Sequence, residues 1–235
     1  MSVSLIELSA DCPLRIEVSG DVPDRDQGVE RCWQSASEAN RRLFDGSILA
    51  LWSVDASSSA LFTRRDRFSH IVCRAPRREL GTVILSVTGV IEAVDGGREC
   101  VLLARRGDRT RSYPGMWEFA PAGGLGVPET DGFFGLGHVL DTLHAELSEE
   151  VGVMQRVEGA RAVAVAMDRG ARSADIIVRA RLDGPAPPLR VPAEHAWECM
   201  EACWAPIAGL SGFFDRAEGG VIEPTLAVAR WLGWA

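Results

Sequence analysis

Residues 145–153 read Ala145-Glu146-Leu147-Ser148-Glu149-Glu150-Val151-Gly152-Val153, and they close a longer apolar repeat. Leu136, Val139, Leu140, Leu143 and Leu147 recur at the i, i+3, i+4, i+7 spacing of an amphipathic helix. Glu146, Glu149 and Glu150 fall at i, i+3 and i+4 of that helix, so at about 100° per residue they share one face. Like charges so placed repel, and near a helix C-terminus they also oppose the macrodipole. A cation relieves both costs. Clustered carboxylate oxygens suit a hard divalent ion, Mg²⁺ or Mn²⁺, of the kind that also binds substrate phosphates. Gly152 follows the last carboxylates where a left-handed cap ends the helix.

Working outward, Trp117–Phe119 reads as a short strand before Pro121-Ala122-Gly123-Gly124, and Arg105 to Tyr113 as a polar, Arg-rich loop. Thr82 to Val94 is rich in β-branched residues and reads as a long strand, with Asp95-Gly96-Gly97 turning it into a second strand, Glu99–Ala104. Downstream, Arg161–Met167 and Ala174–Arg181 read as paired strands joined at Asp168-Arg169-Gly170. Pro185–Pro192 reads as a loop, and Pro224–Trp231 as a terminal helix. Upstream, Asp26–Phe44 reads as a helix stopped by Asp45-Gly46, and Ser47–Val54 as a strand. Strands that flank and cross one charged helix imply an α/β fold. Its expected form is a mixed sheet with helices on both faces, an α/β/α sandwich. The change of texture after Arg77-Arg78 divides it into a small N-terminal α+β domain, 1–80, and a main domain, 81–235.

The bulk composition narrows the function. A net charge of −8 is the wrong sign for a general nucleic-acid binder. No basic leader and no run of 18 apolar residues is present, so neither secretion nor a membrane span is expected, and a cytoplasmic location is. Six scattered cysteines without a CxxC pair read as reduced, mostly buried thiols. His195, Cys199 and Cys203 have i, i+4, i+8 spacing but no second ligand pair, and read as structural rather than as a zinc site. The chain has no lysine, so a basic side chain that meets phosphate does so with a planar guanidinium fork. Arg105, Arg106, Arg109 and Arg111, ahead of the Trp117 strand, are the candidates for that contact, with Arg105 and Arg106 taken first, and a solvated loop is the alternative. Glu118, alternating with Trp117 and Phe119, faces either substrate and metal or solvent. Phe133, beside Phe134 in a Gly-rich stretch, is a candidate substrate wall or lid, with packing under the helix as the alternative.

Together these residues resemble the nudix hydrolase family. That family's signature is Gly, five residues, Glu, seven residues, then Arg-Glu-apolar-any-Glu-Glu-any-Gly-apolar. Ala145–Val153 matches eight of the nine closing positions, and Gly123, five residues, Glu129 fits the opening. Two departures stand out. Fifteen residues, not seven, separate Glu129 from Ala145, and the signature Arg is Ala145. In the family that Arg orients the carboxylates. The N-terminal segment, with Trp33, Asn40 and Leu43-Phe44-Asp45-Gly46, is similar to the extra domain of a divergent branch that hydrolyses UDP-sugars.

The resemblance implies that Glu146, Glu149 and Glu150, with the Gly124 carbonyl, hold Mg²⁺ or Mn²⁺. Glu149 and Glu150 would then serve catalysis, with Glu198 in a late loop as an added base or ligand. It further implies hydrolysis of the diphosphate in a nucleoside diphosphate derivative, with a UDP-sugar such as UDP-glucose as the first candidate. ADP-ribose or a dinucleotide is the nearest alternative. A catalytically weak nucleotide-binding or regulatory module is the alternative of a different class.

Overall fold

The structure, a computed structural model, describes residues 3–73 and 83–235. Thr82, the expected first residue of the long strand, lies outside them. The elements in chain order are β1 (Val3–Glu7), β2 (Arg15–Ser19), α1 (Gln27–Ala39), β3 (Ser47–Asp55), β4 (Ala60–Arg67), α2 (Phe68–Cys73), β5 (Val83–Asp95) and β6 (Arg98–Arg106). They continue with β7 (Trp117–Phe119), β8 (Ala122–Gly124), β9 (Gly132–Phe134), α3 (Leu136–Val151), β10 (Val157–Asp168), β11 (Ser173–Pro185), β12 (Cys199–Pro206), α4 (Leu210–Arg216) and α5 (Glu223–Trp231).

β5 organises the molecule because different stretches of it take different partners. It runs parallel to β11 along most of its length, with Ser86 opposite Asp175 and Thr88 opposite Ile177. On its other edge it meets β3 at Val83–Ile84, β8 at Ser86–Thr88 and β6 at Glu92–Asp95. The path through the sheet is β1-β10-β11-β5-β3-β4-β2-β9, with β6, β7, β8 and β12 branching from it. Parallel pairs sit among antiparallel ones, so the sheet is mixed, as expected.

The period of two along the strands divides the core into two layers. Leu85, Val87 and Ile91 of β5, with Ile176 and Val178 of β11, pack with Val139, Leu143, Leu147 and Val151 of α3. Val90 and Ile177 face the other way, towards Leu210 of α4 and Val228 and Ala229 of α5. This is helix, sheet, helix: an α/β/α sandwich.

Several expectations change. The first helix ends at Ala39, not Phe44: Asn40 leaves the helical region, and a turn follows before β3. Asp26 caps it, its carboxylate accepting from the Gly28 and Val29 amides at 2.9 Å. The cysteines are not all free thiols, since Cys32 of α1 and Cys73 of α2 form a disulfide, while Cys12, Cys100, Cys199 and Cys203 remain free. Sequence separation hid this pair, because only the docking of α2 on α1 brings the two side chains together. The N-terminal strands join the common sheet directly, β1 along β10 and β3 along β5. The insert before Ala145 builds β9, which pairs with β2, and the first turns of α3.

Candidate active site

The site forms where α3 lies over β7 and β8. β7 pairs with β6 so that Glu118 stands opposite Ala104, and the next outward-matching residue of β6 is Arg106. The Arg106 Nη1 donates to Glu118 Oε1 at 2.6 Å, and its Nε donates to the Ser112 carbonyl at 2.9 Å. After the cis Ala120–Pro121 bond, β8 returns beneath the C-terminal half of α3.

Two helix carboxylates, one turn apart, reach this strand. Glu150 Oε2 accepts from the Ala122 amide at 3.3 Å. Glu146 lies against Gly123 so closely that a Cβ there would stand 1.9 Å from Glu146 Oε1. Glycine at 123 is therefore a condition of the carboxylate's position, not of a turn. Glu149 is exposed, Gly124 is exposed at the strand end, and Gly152 closes α3 in the left-handed conformation at φ 69°.

A second group comes from the loop before β12. Gly107 donates its amide to the Glu198 carbonyl at 2.7 Å, which ties this loop to the end of β6. His195 Nδ1 lies 3.5 Å from Glu198 Oε2. Glu198 and His195 both act on Glu146, the first raising and the second lowering its proton affinity.

The electrostatics follow from crowding in a partly enclosed space. Burial, then the charges of Glu149 and Glu198, push the Glu146 carboxyl up to about 7. Burial, then Glu118 and Glu146, hold Glu150 well above the usual carboxylate range, with the Ala122 amide and Arg106 opposing. Burial also raises Glu118, against the pull of Arg106. Asp175 of β11, which sequence reading missed, is pushed up to about 7 by burial, with Glu118 and Asp168 adding to it. Glu118 is thus the carboxylate that acts on both Glu150 and Asp175.

These donors suit a hard divalent ion in kind: carboxylate oxygens, mutually repelling, beside exposed backbone at Gly124. Among the described residues, no three His, Cys, Asp or Glu side chains stand grouped as a metal site. Glu146 and Glu150 are the pair whose surroundings fit a cation best, because burial first and carboxylate neighbours second raise the proton affinity of each.

Beside this cluster opens a cavity of about 210 Å³, bordered by Arg106, Glu118, Gly123 and Gly124, by Phe119 and Tyr113, and by Ser86, Thr88, Ser173 and Asp175 of the sheet. Of the other residues singled out from sequence, Arg105 points to the opposite side of β6. Its Nε donates to the Gly115 carbonyl at 2.9 Å, and its Nη1 lies 3.4 Å from Glu218 and 3.9 Å from Glu201. Phe133 is 58% exposed on β9, with the Arg15 guanidinium 4.4 Å over its ring, and it does not line the cavity. The signal for Asp175 was present: one carboxylate interrupts the apolar run Ala174-Asp175-Ile176-Ile177-Val178.

No helix among the described residues is long and apolar enough to cross a membrane. No family model matches the sequence, and no curated protein matches it. Among solved structures the chain is similar to the MutT protein from Methanosarcina mazei Go1, at 18% identity over 55% of this chain and 81% of that one, with a TM-score of 0.41. It is similar to the NUDIX domain of Shewanella oneidensis NrtR complexed with ADP ribose, at 16% identity over 70% and 94%, with a TM-score of 0.44. It is also similar to a bifunctional NMN adenylyltransferase/ADP ribose pyrophosphatase from Francisella tularensis, complexed with AMP and a Mn ion. That match has 16% identity over 67% and 42%, with a TM-score of 0.47.

Proposed function

We propose that the protein is a nudix-type hydrolase that uses Mg²⁺ or Mn²⁺ to cleave the diphosphate of a nucleoside diphosphate derivative, with a UDP-sugar such as UDP-glucose favoured. The observation that carries this reading is the contact of Glu146 with Gly123, which sets a helix carboxylate against the glycine pair of the sequence motif. Glu146 and Glu150, with Glu149 and the Gly124 carbonyl, would hold the cation. A cation bound there supplies Lewis acidity towards phosphate oxygens and lowers the pKa of water.

The chain's own groups do the rest. Arg106, which borders the cavity together with Gly123 and Gly124, meets a phosphate with a guanidinium held by Glu118. Glu150, whose carboxylate accepts from the Ala122 amide, and Glu198 are the groups that would take the proton of the attacking water. Glu118 keeps Arg106 in place, so the phosphate-binding charge does not move when substrate arrives.

The second reading, a catalytically weak nucleotide-binding module, is favoured by one observation: the described carboxylates do not converge as a metal site. Incubation with Mg²⁺ and a panel of UDP-sugars, ADP-ribose and dinucleotides, scored for released monophosphates, separates the two. Turnover lost in Glu149→Gln and Glu150→Gln supports the hydrolase. Tight binding of one compound without turnover of any supports the module.

A further inference from the structure

A sheet face covered by helices is ordinarily apolar. The face under α5 keeps to this at Val90 and Ile177, both buried. A few residues earlier on the same two strands it breaks. Ser86 and Thr88 of β5, and Ser173 and Asp175 of β11, occupy the positions of the same alternation, and the register sets Ser86 directly beside Asp175. Over them lies the cavity of about 210 Å³ instead of packed side chains. A row of hydroxyls and a carboxylate under an empty space costs stability that an apolar filling would not. The cost is visible at Asp175, which burial pushes up to about 7.

The hydrogen bonding of this floor is incomplete. Asp175 Oδ2 accepts from Ser173 Oγ at 3.1 Å, and Oδ1 meets Thr88 Oγ1 at 3.5 Å, a long contact. A carboxylate offers about four acceptor positions, so capacity remains that faces the cavity. Rotatable hydroxyls beside a carboxylate both donate and accept, which matches the hydroxyl groups of a sugar ring. Phe119 and Tyr113 also border the cavity, and the Tyr113 hydroxyl donates to Asp168. Arg106, Gly123 and Gly124, which also border the cavity, offer a guanidinium and backbone to a phosphate.

We propose that this cavity receives the terminal sugar ring of a nucleoside diphosphate sugar, with Asp175 as its specificity-determining residue accepting from adjacent ring hydroxyls and the diphosphate directed to Gly123–Gly124. The assignment rests on the diphosphatase reading for where the phosphates lie. It is tested by equilibrium binding in EDTA, where turnover does not intervene. The probes are UDP-glucose against UDP and ADP-ribose against ADP, measured with the wild-type chain, Asp175→Asn and Ser173→Ala.

The expected result is at least a tenfold preference of the wild type for one sugar-bearing ligand over its parent diphosphate. Asp175→Asn abolishes that preference while UDP or ADP binds as before, and Ser173→Ala reduces it. No preference in the wild type, or a preference intact in Asp175→Asn, overturns the proposal. Equal weakening of UDP and UDP-glucose by Asp175→Asn also overturns it, because the cavity then holds the nucleoside. Turnover in Mg²⁺ is scored separately on the wild type. Its absence with an Asp175-dependent preference removes the diphosphatase and leaves the sugar pocket. Its presence without any preference does the reverse.

Discussion

The Arg106 guanidinium lies 2.6 Å from the Glu118 carboxylate, and the charge of Glu118 in turn raises the proton affinity of both Glu150 and Asp175. Position 145, where the nudix signature has an arginine, is an exposed alanine on α3. The positive charge next to the carboxylates therefore comes from β6, twelve residues before its partner Glu118, and not from the helix. The insert makes its own ion pair elsewhere, Asp131 with Arg65.

Removing one member of this pair strands the other. Arg106→Ala is expected to cost roughly 3 kcal/mol in urea unfolding at pH 8, as breaking a largely buried ion pair does. Glu118→Gln should cost less, and the double variant less than the sum of the two. Additive costs in that cycle would mean the two residues are not coupled.

Gly123→Ala separates position from folding. The new Cβ would meet Glu146 Oε1 at 1.9 Å, Cδ at 2.3 Å and Cγ at 2.7 Å, so that side chain must turn away, from its own Cβ outward, while the backbone of α3 stays in place. The unfolding midpoint should change little. Turnover should fall by about 10²-fold, the scale of an ångström-sized misplacement. Full activity with a normal midpoint would detach Glu146 from the site.

The pH dependence of stability has a definite sign at Asp175. Its proton affinity rises from 3.8 to about 7 on folding, so between those values the folded chain holds a proton that the unfolded chain releases. Stability then falls as pH climbs through about 4 to 7 and levels off above, by at most about 4 kcal/mol from this group. Asp175→Asn should remove that part of the slope and raise the melting temperature at pH 8 but not at pH 4. An unchanged slope in the variant would show that the group does not titrate in this window.

Reducing agent should lower the unfolding midpoint through the Cys32–Cys73 bridge, which spans a sequence separation of 41 residues. The chain-entropy relation gives about 4 kcal/mol for such a loop. Thiol titration of the denatured, non-reduced chain should find four free thiols; six would mean the bridge is absent.

The helix with its carboxylates, the glycine pair before it and the Gly152 cap were legible in the sequence because each is local. A helical face follows from spacing of three and four residues, and a cap from one glycine with φ above zero. The sandwich was legible for the same reason, through alternation along strands and the apolar stripe of α3. The arginine that meets Glu118, the pairing of Cys32 with Cys73 and the cavity floor were not. Arg105 and Arg106 are equivalent in a one-dimensional reading, and the pleat of β6 sends them to opposite sides. Asp175 faces Ser86 across 89 positions of sequence only because β11 runs parallel to β5 in that register. The sequence by itself determined which carboxylates share a helix face and which glycine ends that helix. Only the tertiary structure decided which guanidinium lies beside them and which cavity opens next to them. Strand register depends on packing across the whole sheet, and no local preference of the chain encodes it.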